Sequence, residues 1–248
     1  MVLQLPRLKT VLVIFLFVIG HEPAQATGQD RDVDHKIVEL NIRKTITDGK
    51  SLEISTLKSK AENLYSMTAV IQVENWTRFP LLSGEVHLYS GTTTSQPPNI
   101  LPGETGCLAL RKKLAVVYGT SGTVSWEVQG ANRFLVVMWT VPYDRSTYSN
   151  WMAVGMTKKW NTTTVPQRTS FYDQMYHRSS DERITFSRKE FHHHAGPVSF
   201  RNDEEFQIIG EMTSFAQAVV TVTFQPDRNN YRYWYSEIRS NVGEPNSQ

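Results

Sequence analysis

Phe134-Leu-Val-Val-Met-Trp-Thr140 runs directly into Val141-Pro-Tyr-Asp-Arg-Ser-Thr-Tyr-Ser-Asn-Trp151, and the fold turns on how this junction is read. The first part is an unbroken apolar run of strand length, suited to a fully buried strand. The second holds a proline and an aspartate that favour a turn. Two tyrosines and a tryptophan stand among its serines, so large rings are placed on or beside a loop instead of in a core. Amphipathic rings prefer a boundary that is apolar on one side and wet on the other, such as the headgroup layer of a bilayer.

Short strand patterns flank the junction on both sides. Ala69 to Val73, Glu85 to Tyr89, Gly106 to Leu110, Leu114 to Tyr118 and Gly122 to Val128 precede it. Trp151 to Thr157, Phe206 to Ile209 and Ala216 to Phe224 follow. Turn residues such as Ser83-Gly84, Pro97-Pro98-Asn99 and Pro102-Gly103 punctuate them. Val38, Leu40 and Ile42 alternate with polar residues further upstream. From Ser51 the period changes. Ile54, Leu57, Ala61 and Leu64 recur three or four apart, opposite Glu53, Lys58, Lys60 and Glu62. This predicts an amphipathic helix over about 51–64, with Ser51 as its cap. A second helix is expected over Arg168–Arg178, where Phe171 and Met175 share one face and Tyr172 and Tyr176 a neighbouring one. The expected fold is mainly β: one sandwich domain of about ten strands flanked by two short helices.

The ends read differently. Arg7 and Lys9, the apolar run Val11 to Ile19 and Ala24-Gln25-Ala26 have the order of a secretory signal over residues 1–26. The run is shorter than the roughly 20 residues a bilayer span needs. Residues 27–36 are an extension, 37–225 the sandwich domain, and 226–248 a tail of unassigned role. That tail holds Tyr231, Tyr233, Trp234 and Tyr235 among arginines, and an added strand, an interaction segment and a removed extension all fit it. A secreted chain makes two sequons usable, at Asn75 and Asn161. Cys107 is the only cysteine, so no internal disulfide forms, and a small buried apolar side chain is the expected role.

A formal net charge of +2 argues against nucleic acid as the main partner. No G-x-S-x-G, P-loop or paired-cysteine motif is present, and an enzyme is not expected. His192-His193-His194 has the residue type for zinc, but neighbours on an extended chain alternate faces, so a solvated loop is the expectation. No cofactor is implied.

The loop Val141–Trp151 resembles the phosphocholine-binding loop of the actinoporins, secreted pore-forming cytolysins, which reads V-P-Y-D followed by Y-S-N-W. The likeness extends over about residues 37–225. Asp48-Gly49-Lys50-Ser51-Leu52 resembles the family's opening of the N-terminal helix, with Leu57-Lys58 at its L-K pair. Ser90-Gly91 resembles the end of an early strand, Pro102-Gly103 a turn, and Asp173-Gln174-Met175-Tyr176 the second helix. Length and terminal extensions are similar to those of the gastropod echotoxins. The resemblance implies a ten-stranded sandwich with a headgroup pocket for sphingomyelin at Ser90, Thr140, Pro142, Tyr148, Trp151 and Tyr176. Tyr148 and Trp151 would face a choline cation. Ser90 and Thr140 would give hydroxyls to its phosphate, and Pro142 would shape the wall. Tyr143 is left out as a core candidate.

The resemblance also implies an inserting helix carrying Leu52, Ile54, Leu57, Ala61 and Leu64. From Val33 to Leu64 it would measure roughly 45 Å, enough for a hydrocarbon core of about 30 Å. Several copies would then assemble a pore that passes cations. Departures are present. Thr147 stands where the family carries a membrane-entering tryptophan, Tyr89 where many carry arginine, and Ser180 and Asp181 where a tyrosine pair is common. An aromatic-poor pocket makes another headgroup, such as a glycolipid, a competing expectation. A non-lytic lectin or lipid-binding module on the same fold is the alternative function.

Overall fold

The computed structural model describes residues 66–161, 165–192, 196–202, 205–227 and 229–242. β1 (Thr68–Asn75) turns Ala69, Ile71 and Val73 into the core and pairs on both sides. It runs parallel to β11 (Gln217–Pro226) and antiparallel to β4 (Thr105–Arg111). With β10 (Phe206–Met212), β9 (Val198–Asn202) and the short β3 (Thr92–Thr93) the first sheet has the order β3-β4-β1-β11-β10-β9. The second sheet is antiparallel throughout: β2 (Leu81–Ser90), β5 (Thr120–Val128), β6 (Arg133–Val141), β7 (Asn150–Thr157) and β8 (Ile184–Phe191), in that order.

One core lies between the sheets. Ile71, Leu108, Val220 and Val222 come from the first, and Val124, Trp126, Val137, Trp139 and Val154 from the second. The two indoles in this core are satisfied: Trp126 donates to Pro98 O at 2.9 Å and Trp139 to Thr120 Oγ1 at 3.3 Å. The outer face of the second sheet is covered by α1 (Phe171–His177), entered through a 3-10 turn at Arg168–Ser170. Phe171, Tyr172 and Met175 pack there on Phe134, Val136, Met138 and Ala153. The predicted junction is therefore a strand and a loop: β6 is buried on both faces to Met138, and residues 142–149 leave the sheet.

Three connections meet at one pole. They are residues 112–119 between β4 and β5, 142–149 between β6 and β7, and 213–216 between β10 and β11. Asn150 Nδ2 donates to Thr213 O at 2.8 Å and Phe215 O at 3.0 Å, Arg145 donates to Ser214 O, and Lys112 Nζ lies 4.8 Å from the Tyr143 ring centre. We term this the loop pole.

Three expectations need correction. Leu114–Tyr118 is not a strand. β4 and β5 belong to different sheets, so the segment crosses between them, and its apolar side chains stand exposed. Two strands carry weak sequence signals: β8 is an edge strand with Arg188, Lys189 and Glu190 in it, and β9 is five residues long. Asn75 is fully buried, and its Nδ2 donates to Phe79 O at 2.8 Å and Ile100 O at 3.2 Å. A glycan on that nitrogen is incompatible with this packing. Asn161 is exposed, beyond the far end of β7.

The tail is packed at the opposite pole. β11 ends at Pro226, a 3-10 turn occupies Tyr231–Tyr233, and α2 spans Ser236–Val242. Trp234 pairs with Thr77 in an isolated bridge, and its ring lies 6.4 Å from that of Trp76. Gly103, at φ +76°, sits under Tyr235: an added Cβ would fall 2.4 Å from Cε1 of that ring. The signal, the strand pattern at Val38–Ile42 and the first helix, with Leu52, Ile54, Leu57, Ala61 and Leu64, lie outside the described residues.

Cys107 is buried on β4. Burial, and then the charge of Glu74, push its thiol up to about 11. A raised thiol favours the protonated folded state, so this contribution is whole below the unfolded thiol's value of about 8.5 and is lost as pH climbs through the folded one. We expect an alkylating reagent at mildly alkaline pH to spare Cys107 in the folded chain and to label it after unfolding, as read by mass spectrometry.

Candidate functional site

The register of the second sheet builds one transverse row of side chains. Ser90 pairs with Ser121, Ser121 with Thr140, Thr140 with Trp151, and Trp151 with Glu190. Directly opposed residues share a face. This row lies on the outer face, beside α1 and at the loop-pole end of the sheet. Ser90 joins it through a bulge. Between the pairs Leu88↔Gly122 and Ser90↔Ser121, β2 takes two steps where β5 takes one. The extra step returns Ser90 to the face that alternation already gives Tyr89.

Four rings line the row. Tyr176 meets Trp151 edge-on at 6.3 Å, stacks on Tyr172 at 5.5 Å, and Tyr172 stacks on Tyr89 at 4.7 Å. Tyr172 and Tyr176 are four apart on α1, which is why their rings lie in parallel. Tyr89 is 72% exposed at the open end of the series, and Tyr172 is buried beneath it. The Tyr172 hydroxyl lies 3.3 Å from Thr140 Oγ1. Burial raises its pKa, against the pull of hydrogen bonds to Thr140 and Ser121, so it stays a neutral donor.

Arg188 supplies fixed charge. Its guanidinium lies 5.7 Å from the Trp151 ring centre, and Nη1 donates to Met175 O at 2.9 Å and to Tyr176 O. Those carbonyls end α1 and have no partner within it. Arg188 thus fastens the helix that carries Tyr176 while placing a cation against Trp151.

The six residues singled out from sequence divide. Thr140, Trp151 and Tyr176 share the row and its rings. Ser90 is in the row, but its hydroxyl donates to Gly119 O at 3.1 Å. Pro142 is half-buried, with Gly119 pressed against Val141 and Pro142. Tyr148 is 61% exposed on the loop, and among the described residues it forms no ring pair. Tyr143 is exposed and not core. Tyr89, Ser121, Tyr172 and Arg188 were not singled out from sequence. Tyr172 carried a signal in its spacing from Tyr176; the others become neighbours only through strand register.

The aromatic loop is held by its own polar groups. Asp144 Oδ1 accepts from Ser146 N at 3.0 Å and Ser146 Oγ at 2.6 Å. These hydrogen bonds and those from Thr147 lower the pKa of its carboxyl. His192 meets Ser149 at 2.9 Å and Glu190 at 3.1 Å. Among the described residues no three metal-binding side chains converge, and His193 and His194 lie outside them.

No family model matches the chain. It is 42% identical to Tereporin-Ca1 of Terebra anilis over 190 residues, covering 75% of this chain and 99% of that one. It is 33% identical to Conoporin-Cn1 of Conus consors over 236 residues, 95% of this chain and 93% of that one. Echotoxin-2 of Monoplex parthenopeus is 38% identical over 163 residues, 65% of this chain and 58% of its own length. Among solved structures, the lipid-binding protein Nakanori superposes with a TM-score of 0.51 at 13% identity, covering 79% of this chain and 83% of that one. At that identity the likeness concerns the fold alone.

Proposed function

The chain belongs to the actinoporin-like family of pore-forming toxins, and from that premise we propose that it is a secreted cytolysin that docks on membrane lipid through the row at Ser90–Trp151. It acts without making or breaking bonds, in keeping with relatives named as toxins and not as enzymes. After docking, the amphipathic segment around residues 51–64 inserts, copies associate, and a cation-permeable pore opens. The observation that carries the docking step is the series of rings Tyr89–Tyr172–Tyr176–Trp151 at one accessible edge.

A phosphocholine headgroup suits this chemistry. A quaternary ammonium favours aromatic faces. Arg188 already stands by Trp151, so the exposed rings of Tyr89 and Tyr148 are the better hosts for its cation. The phosphate is drawn to the Arg188 side, with Thr140 and Tyr172 as neutral donors. Sphingomyelin is the headgroup carrier that the family resemblance implies, with a glycolipid as the competitor. A docking module without lysis is the second reading, supported by the shared fold of a lipid-binding protein.

Vesicles that differ in one headgroup at a time test this. We expect binding and dye release with sphingomyelin to exceed those with a glycolipid of equal chain length. Tyr89→Ala removes one exposed ring at little cost to stability. Binding should fall between about twofold and thirtyfold, the range of one cation–π contact. Equal binding by the variant and the unaltered chain would remove Tyr89 from the site. Binding without release on every composition would favour the non-lytic reading.

A further inference from the structure

Ten large apolar side chains stand exposed among the described residues, and only Leu101 and Val165 lie away from the loop pole. The densest group is not on the aromatic loop. It is on the neighbouring β4–β5 connection, where Leu114, Val117 and Tyr118 are 68%, 70% and 68% exposed. The backbone holds them outward. Ala115 adopts φ 60°, a left-handed conformation that costs a residue with a side chain, within a turn between Leu114 and Val117. Lys112 Nζ closes the turn by donating to Val116 O at 3.0 Å. Gly119 then passes so close to β6 that an added Cβ would lie 1.8 Å from Val141 O. The connection is therefore fastened to the strand that leads into the aromatic loop. Across the pole, exposed Phe215 sits on the turn that Asn150 binds.

The arrangement points to a fluid partner. Apolar tips on separate loops offer a folded protein no continuous face, but each can enter a bilayer surface independently. Lys113, exposed next to Leu114, suits the phosphate oxygens of a headgroup layer. Thr147, exposed on the aromatic loop, offers that loop only a hydroxyl. We propose that Leu114, Val117 and Tyr118, with Phe215, form a second membrane anchor that enters the bilayer interface beside the headgroup site and supplies the apolar depth Thr147 lacks. This rests on the reading that the loop pole docks on lipid.

Environment-sensitive probes separate the two claims. In a Cys107→Ala background, single cysteines Val117→Cys, Tyr148→Cys and Leu101→Cys are labelled with a nitrobenzoxadiazole dye. Vesicles of phosphatidylcholine, sphingomyelin and cholesterol are then added. We expect blue-shifted, brighter emission at 117 and 148, and none at 101. A response at 148 without one at 117 overturns the anchor and leaves the docking reading standing. No response at either site overturns both. A shift at 117 that follows protein concentration without vesicles marks contact between copies and also overturns the anchor. Leu114→Ser with Val117→Ser should weaken vesicle binding by roughly tenfold or more, from the apolar area withdrawn from the bilayer. Unchanged binding by that double variant counts against the anchor, since both side chains are exposed and their loss leaves the core intact.

Discussion

A chain lacking residues 33–64 is expected to bind vesicles as the whole chain does and to release none of their trapped dye. The expectation joins two physical facts. Backbone polar groups cannot stay unpaired in hydrocarbon, so a segment that crosses alone must cross as a helix. Among the sequence stretches before the described residues, 51–64 has helical apolar period and, extended back to Val33, the needed length. Among the described residues the strand that follows it is already fully paired. β1 is paired on both sides from Thr68 onward, Thr68 N donates to Ala216 O at 3.0 Å, and Lys112 N donates to Met67 O at 3.0 Å. The groups proposed to dock all lie after residue 88. The deletion should therefore separate binding from lysis completely, with a thermal unfolding transition retained. Release that continues at the original rate would mean that the pore is built from some other part of the chain.

The division of labour in that experiment mirrors what could be read from sequence. The buried strands were legible because their apolar runs are long and bounded by turn residues, as at Phe134–Thr140 and Ala216–Phe224. β8 was not, since an edge strand spends its side chains on charge, and Arg188, Lys189 and Glu190 hide its period. Leu114–Tyr118 has strand composition but no strand neighbour among the described residues. Its ring and aliphatic groups stand exposed at the pole, so composition alone misassigned it. Within the site, Tyr148, Trp151 and Tyr176 were found through a motif. Ser121, Tyr89 and Arg188 depend on a bulge and on a transverse register that links residues from Ser90 to Glu190, and a linear pattern carries no such information. Asn75 shows the same limit. Its sequon is intact, yet Phe79 and Ile100 close over the amide.

Trp234→Ala should destabilise the chain by about 3–5 kcal/mol, the usual range for emptying a large aromatic from a packed site. The residue was part of a tail with no assigned role, but its packing gives it one. Trp234 is almost wholly buried against Trp76 with Ile238 beneath, Arg78 N donates to Tyr233 O at 2.8 Å, and Tyr235 N donates to Trp76 O at 3.1 Å. Tyr233 also stacks on Phe206 and meets Phe79 edge-on, so the tail closes the end of the main core. A loss of that size is a large share of the roughly 5–15 kcal/mol that holds a domain folded. Chemical denaturation of the variant would measure it. Because this clasp sits at the pole opposite the docking loops, vesicle affinity per folded molecule should not move. Unchanged stability would show that the tail only rests on the sandwich. Weakened lipid binding by a fully folded variant would show instead that the two poles are coupled.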